Sequence, residues 1–313
     1  MKKTIFSTAV LALLFASCSN DEGFTPISES LKDTPINVNV LVSNLETRAG
    51  NDSETDFDKF YISIKQSEVN DKYNYDNVVM KKEEGQWVSY ESDVEGADKK
   101  ELLWEGTDQV SVTASTFPMT GTVPYALSVA ADQSTADRIK ESDHLFYKND
   151  AVTSSTDGIK IEFEHIMSKL VISVTLRDEF AGVSDPITSV SVFGTKLQGS
   201  YTPGSNTPWT IADNTTAQTI KANKKDDYNA SSRTATYEVI LLPQTIDPDE
   251  GGVFGVNILI DDKNYEWSVD KGVVLTAGTQ YNLLLTAGKD KVSNANFSAS
   301  SWGNGDDINS KTE

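Results

Sequence analysis

The sequence predicts an all-β chain of β-sandwich architecture, and three observations carry that prediction. Short runs of alternating apolar and polar residues recur from Ile36 to near the end of the chain, the pattern of strands with one buried face. Turn residues punctuate them, among them Pro203-Gly204, Pro208 and Asp261-Asp262-Lys263-Asn264. Helical character is confined to residues 134–142, where Ser134 is placed to cap and Ile139 is the sole large apolar anchor, so the expectation there is a short surface turn. Many short strands with turns between them pack as facing sheets.

Residues 1–17 have the makeup of an export signal. Lys2 and Lys3 precede an apolar run from Ile5 to Ala16 that is too short to span a bilayer comfortably. Leu14-Phe15-Ala16-Ser17-Cys18 then resembles a bacterial lipoprotein signal, with small residues before a cysteine that becomes acylated. Phe15 stands where an aliphatic residue is usual, and an ordinary secretory signal with an incidental cysteine is the alternative. Several acyl chains on one N-terminus anchor stably where one is marginal. Cys18 is the only cysteine, so no disulfide forms within the chain. Residues 18–34 are polar and acidic, with Pro26 inside and Pro35 just after, and form a tether.

The first strand spans residues 36–43. Ile36, Val38, Val40 and Val42 share one face; Asn37, Asn39, Leu41 and Ser43 share the other. A loop over residues 44–56 follows, with Thr47-Arg48-Ala49-Gly50 and the polar run Asn51 to Asp56. A core strand joined to the body through a polar loop with one lone arginine has the form of a removable part. Phe60/Ile62/Ile64, Gln86 to Tyr90, Leu102-Leu103-Trp104, Val110/Val112/Ala114, Ile159/Ile161/Phe163 and Leu170/Ile172/Val174/Leu176 continue the strand series. The polar, glycine-ended stretch Arg177 to Gly182 marks the expected boundary between an N-terminal sandwich domain, residues 35–182, and a C-terminal one, residues 183–313. In the second, strands are expected at Val190/Val192, Leu197/Tyr201, Tyr237/Val239/Leu241 and Tyr281/Leu283/Leu285. A hairpin joins Phe254/Val256/Ile258/Ile260 to Tyr265/Trp267/Val269. Residues 214–232 read as a long polar loop or a weak edge hairpin.

Composition argues against several functions. There are 47 Asp+Glu against 27 Lys+Arg, and the pI is near 4.5, so no basic footprint exists for nucleic acid. With the cysteine consumed by lipidation, neither a Cys/His nucleophile nor a cysteine-rich zinc site can be built. His144 and His165 are the only histidines, and His165 reads as structural. No nucleophile elbow, phosphate loop or H-E-x-x-H motif occurs. Asp247-Pro248-Asp249-Glu250-Gly251-Gly252 and Asn304-Gly305-Asp306-Asp307 are acidic but lack calcium-loop spacing, and read as polar turns. The five tryptophans, 87, 104, 209, 267 and 302, could line a sugar platform, yet aromatic residues in sandwich strands usually pack in the core or at its rim. No catalytic residue, metal or cofactor is assigned, and the expectation is that the chain is not an enzyme.

Several segments together resemble the Bacteroidales fimbrillin family, lipoprotein-derived pilus subunits. They are the signal ending Phe15-Ala16-Ser17-Cys18, Thr47-Arg48-Ala49 after the first strand, and the central Phe163-Glu164-His165-Ile166-Met167-Ser168-Lys169-Leu170 segment. Late in the chain, Leu242-Pro243-Gln244 and Leu275-Thr276-Ala277-Gly278-Thr279-Gln280-Tyr281 complete the set. The resemblance implies two transthyretin-like β-sandwich domains of short, mostly antiparallel strands and delivery to the outer membrane through a lipid on Cys18. It also implies cleavage of the Arg48–Ala49 bond by an arginine-specific, trypsin-like protease. Loss of the strand bearing Ile36, Val38, Val40 and Val42 would then open a groove that a strand from another fimbrial subunit fills. The family's stalk subunits donate a C-terminal strand, whereas residues 292–302 here, VSNANFSASSW, are only moderately apolar on their better face. Both a stalk position and a tip or accessory position therefore stand. The alternative from another class is a monomeric surface lipoprotein that keeps its first strand and binds a glycan or host ligand.

Overall fold

In the computed structural model the described residues are 31–42, 57–212, 215–269, 271–302 and 307–308. Cys18, the signal, Arg48, Ala49 and most of the polar tail lie outside them.

The alternating segments do form strands, and hydrogen bonding sorts them into two principal sheets. The first has seven strands in the order β1 (Val38–Val42), β8 (Ile159–His165), β7 (Leu145–Thr153), β5 (Gln109–Ser115), β2 (Lys59–Lys65), β3 (Tyr75–Glu83) and β4 (Gln86–Tyr90). The second has six, in the order β14 (Asn223–Asn229), β15 (Thr234–Leu241), β9 (Ser168–Leu176), β20 (Thr279–Ala287), β21 (Val292–Ser301) and β22 (Asp307–Ile308). A four-stranded sheet, β13 (Gln218–Lys221), β10 (Ile187–Thr195), β17 (Gly255–Ile260) and β18 (Lys263–Ser268), contributes Val190, Val192, Val256 and Ile258 to the same core as the six-stranded one. Two small sheets complete the set: β12 (Trp209–Thr210), β11 (Gln198–Tyr201) and β6 (Tyr125–Ser128), and the pair β16 (Gln244–Ile246) and β19 (Val273–Leu275). The chain is all-β in class, and most ladders are antiparallel. The β1–β8 and β9–β20 ladders are parallel.

Two cores result. One joins Phe60, Ile62, Ile64, Trp104, Val112, Ile159, Ile161 and Phe163 with Ile36, Val38, Val40 and Val42. The other joins the inner faces of β9, β10, β15, β17 and β20, and reaches Tyr61, Val79 and Phe146 on the back of the seven-stranded sheet. The strand Ser168–Leu176, expected with the residues before it, has β15 and β20 as its ladder partners. Alternation identified its buried face, but both cores would accept that face.

Two local expectations change as well. Residues 136–142 make a true helix, α1 (Ala136–Ser142), capped by Thr135 and not Ser134, with the Thr135 side chain accepting from Arg138 N. Ile139 is fully buried and anchors α1 to the core, while Ala136, Asp137, Arg138 and Glu141 remain exposed, so the element lies on the surface as expected. The polar run expected as a loop or one edge hairpin supplies β13 and β14, which edge two different sheets. The β17–β18 hairpin forms as expected, with Ile260 opposite Lys263. Its turn is Asp261-Asp262 alone, both at positive φ, as a two-residue turn of the type that matches strand twist requires.

Candidate functional site

The first strand is an edge strand, and its alternation decides how it sits. Val38, Val40 and Val42 are buried while Asn39 and Leu41 point out. Its ladder to β8 runs from Val38 opposite Ile159 to Val42 opposite Phe163. Burial of each of these valine and isoleucine side chains stabilises by roughly 1.5–3 kcal/mol.

The segment before it is fixed by a second set of contacts. Asp33 N and Ile36 N donate to Trp104 O and Leu102 O at 2.9 and 2.8 Å, and Trp104 N donates to Thr34 O at 2.9 Å. Leu31 is buried in the same core. Lys72 and Tyr73 hydrogen-bond the Asp33 carboxylate, and they hold its pKa below the ordinary value. The end of the expected tether therefore belongs to the fold, a feature that its polar composition hid.

The seat itself depends on backbone fit. Ile159 N donates to Asn37 O at 2.8 Å just after Gly158, whose φ is +82°. A β-carbon at Gly158 would lie 2.2 Å from Asn37 O, so only glycine allows this approach. On its outer side β1 has no ladder partner among the described residues. It faces a cleft of about 540 Å³ lined by Val38 to Leu41, Gly85 to Trp87, Asp157, Gly158 and Lys160. Gln86 and Trp87 belong to β4, the opposite edge strand, so the seven-stranded sheet curls until its two edges border one cleft. Trp87 continues inward through stacked and edge contacts to Phe57 and Phe60, which both pack on Phe163.

The remaining candidates resolve into structural roles. His165 is buried with Nδ1 3.0 Å from Asp143 Oδ1, and its ring stacks on Trp302 at 3.8 Å. Asp247 caps a short 3-10 turn by accepting from Asp249 N. Among the described residues no cluster of three or more His, Cys, Asp or Glu has metal-binding geometry. Trp104 is fully buried, Trp302 nearly so, and Trp209 donates its indole N–H to Ile166 O at 2.8 Å. These rings belong to the two cores or pack against them. Arg48, Ala49 and Cys18, the expected processing and lipidation residues, lie outside the described residues.

Among the described residues no helix is long and apolar enough to cross a membrane. A protein family described as fimbrillin-like matches residues 47–302. No curated protein matches the sequence. Among solved structures, a candidate cell adhesion protein from Bacteroides ovatus is similar at a TM-score of 0.65 and 18% identity, over 88% of this chain and 99% of the other. A second candidate cell adhesion protein, from Bacteroides uniformis, is similar at a TM-score of 0.52 and 15% identity, over 86% of this chain and 98% of the other. At these identities the likeness establishes the fold.

Proposed function

The chain belongs to the fimbrillin-like family, and on that premise we propose that it is a structural subunit of a cell-surface fimbria, assembled by strand exchange. The subunit is exported as a lipoprotein acylated on Cys18 and held at the outer membrane until an arginine-specific, trypsin-like protease cuts the Arg48–Ala49 bond. The cut separates the lipid and β1 from the body in one step, because both lie on the N-terminal side of Arg48.

The observation that carries this reading is the seating of β1. It is an edge strand with a single ladder, so it can leave without breaking the order of the other strands. What it leaves behind is the edge of β8 and the apolar surface beneath Ile36, Val38, Val40 and Val42. Unpaired backbone groups and uncovered apolar surface are unstable in water, and an extended strand from another fimbrial subunit restores both.

An Arg48→Ala variant expressed in cells tests it. The expected result is a lipid-anchored monomer in place of SDS-resistant ladders. Ladders that persist in that variant contradict proteolytic activation, and glycan binding by the uncleaved monomer favours a surface adhesin that keeps its first strand.

A further inference from the structure

We propose that β1 and the C-terminal strand β21 are conformationally coupled through β8, so that loss of the first strand loosens the last. This rests on the reading that β1 is a removable strand, and it adds a consequence of removal at the other end of the chain.

The support of β8 is uneven. Residues 159–163 are laddered to β1 over their whole length, whereas β7 pairs with β8 only at its end, Leu145 opposite His165 and Phe146 opposite Glu164. Without β1, the first five residues of β8 keep their side chains in the core but have no ladder partner on either side. A strand held by two terminal pairs frays from its free end toward them.

Those two pairs border the anchor of β21. His165, the last residue of β8, stacks its ring on Trp302 with planes 12° apart and is held by Asp143. On the same indole, the Lys169 ammonium sits 5.4 Å from the ring centre. Trp302 N donates to Gly278 O, and Gly278 N donates to Met167 O, both at 2.8 Å, so the end of β21 is tied to the β8–β9 junction by backbone as well. The rest of β21 has one main ladder partner. It pairs fully with β20, carries a register break opposite Leu284/Leu285, and has only the two-residue β22 on its other side. Phe297 adds aromatic contacts to Tyr281 at 5.8 Å and Phe254 at 6.4 Å. Trp302 is thus a latch whose strike plate is the end of β8.

Coupling is reciprocal, so either strand can be perturbed in the intact chain. Amide hydrogen exchange is measured on full-length protein and on Val40→Ala and Trp302→Ala variants, with Trp302→Phe retaining an aromatic stack. The expectation is that Val40→Ala raises exchange several-fold in residues 292–302 and Trp302→Ala does so in residues 38–42. Trp302→Phe stays near the parent, and β10 and β17 keep their protection in all three. An effect confined to the strand mutated, or one that rises equally in β10 and β17, overturns the coupling. Cleavage after Arg48 separates the two claims. If β1 departs and residues 292–302 stay protected, the coupling fails and the strand-exchange reading stands. If β1 stays seated, that reading fails, while the uncleaved variants still decide the coupling.

Discussion

At Gly158 the backbone takes a φ of +82°, and the space a β-carbon would need is filled by Asn37 O. Gly158→Ala combines left-handed strain of about 1–2 kcal/mol with a direct clash against the chain leading into β1. Its expected effect is a lower urea midpoint and faster exchange in residues 38–42 and 159–163, with β10 and β17 unaffected. His144 offers a second test at this scale. Its Nε2 lies 3.0 Å from Ser128 O, and its ring meets Phe117 edge-on at 5.6 Å. Burial lowers its pKa below the ordinary 6.5, against the opposing pull of the Ser128 carbonyl and Asp143. The folded state therefore holds His144 neutral where the unfolded chain would protonate it. Its contribution is full above about pH 6.5 and is lost as pH falls below that value toward the folded pKa. Urea midpoints compared between pH 7.5 and 5.5 should fall more in the parent than in His144→Gln. Equal losses would contradict a contribution of His144 to this acid sensitivity.

Among the elements, β9 shows most clearly what the sequence could and could not reveal. Leu170, Ile172, Val174 and Leu176 alternate plainly, and all four are fully buried. Period two names the buried face of a strand but not its partner, and β9 pairs with strands more than fifty residues later in the chain. The same limit explains β13 and β14, whose polar residues suit edges and are silent on which sheet they edge. For β1 the pattern was sufficient, because its exposed Asn39 and Leu41 and buried Val38, Val40 and Val42 follow from alternation alone. The Leu31 to Ile36 attachment was not legible, since it depends on backbone bonds to residues 102–104. Lys169 was visible only as part of a motif. In the fold its side chain is fully buried in β9, 3.5 Å from Glu238 on β15, with Asn223 Nδ2 donating to Glu238 Oε1 at 3.1 Å. Lys169→Met alone leaves a buried carboxylate uncompensated and should lower stability by about 3–5 kcal/mol, whereas Lys169→Met with Glu238→Leu should recover most of the loss. Chemical denaturation of both variants checks this.

Across the whole molecule, the proposed function centres on the strand that links the two cores. β8 faces the first core along its length, carries β1 on its edge, and delivers its last residue to the junction where β9 enters the second sheet. Under the proposed function, the assembly information lies in β1, the edge strand that completes the first core. The strong excess of acidic residues gives the chain a like-charged surface, which disfavours casual association between copies. Digestion of the soluble chain with an arginine-specific protease, followed by native mass spectrometry and hydrogen exchange over residues 159–163, tests this most directly. Cleavage after Arg48 is expected to be followed by departure of the segment carrying Ile36, Val38, Val40 and Val42. Protection of β8 falls, and oligomers resistant to SDS appear as other strands take its place. A cleaved protein that stays monomeric, with that segment still bound and β8 still protected, would contradict it.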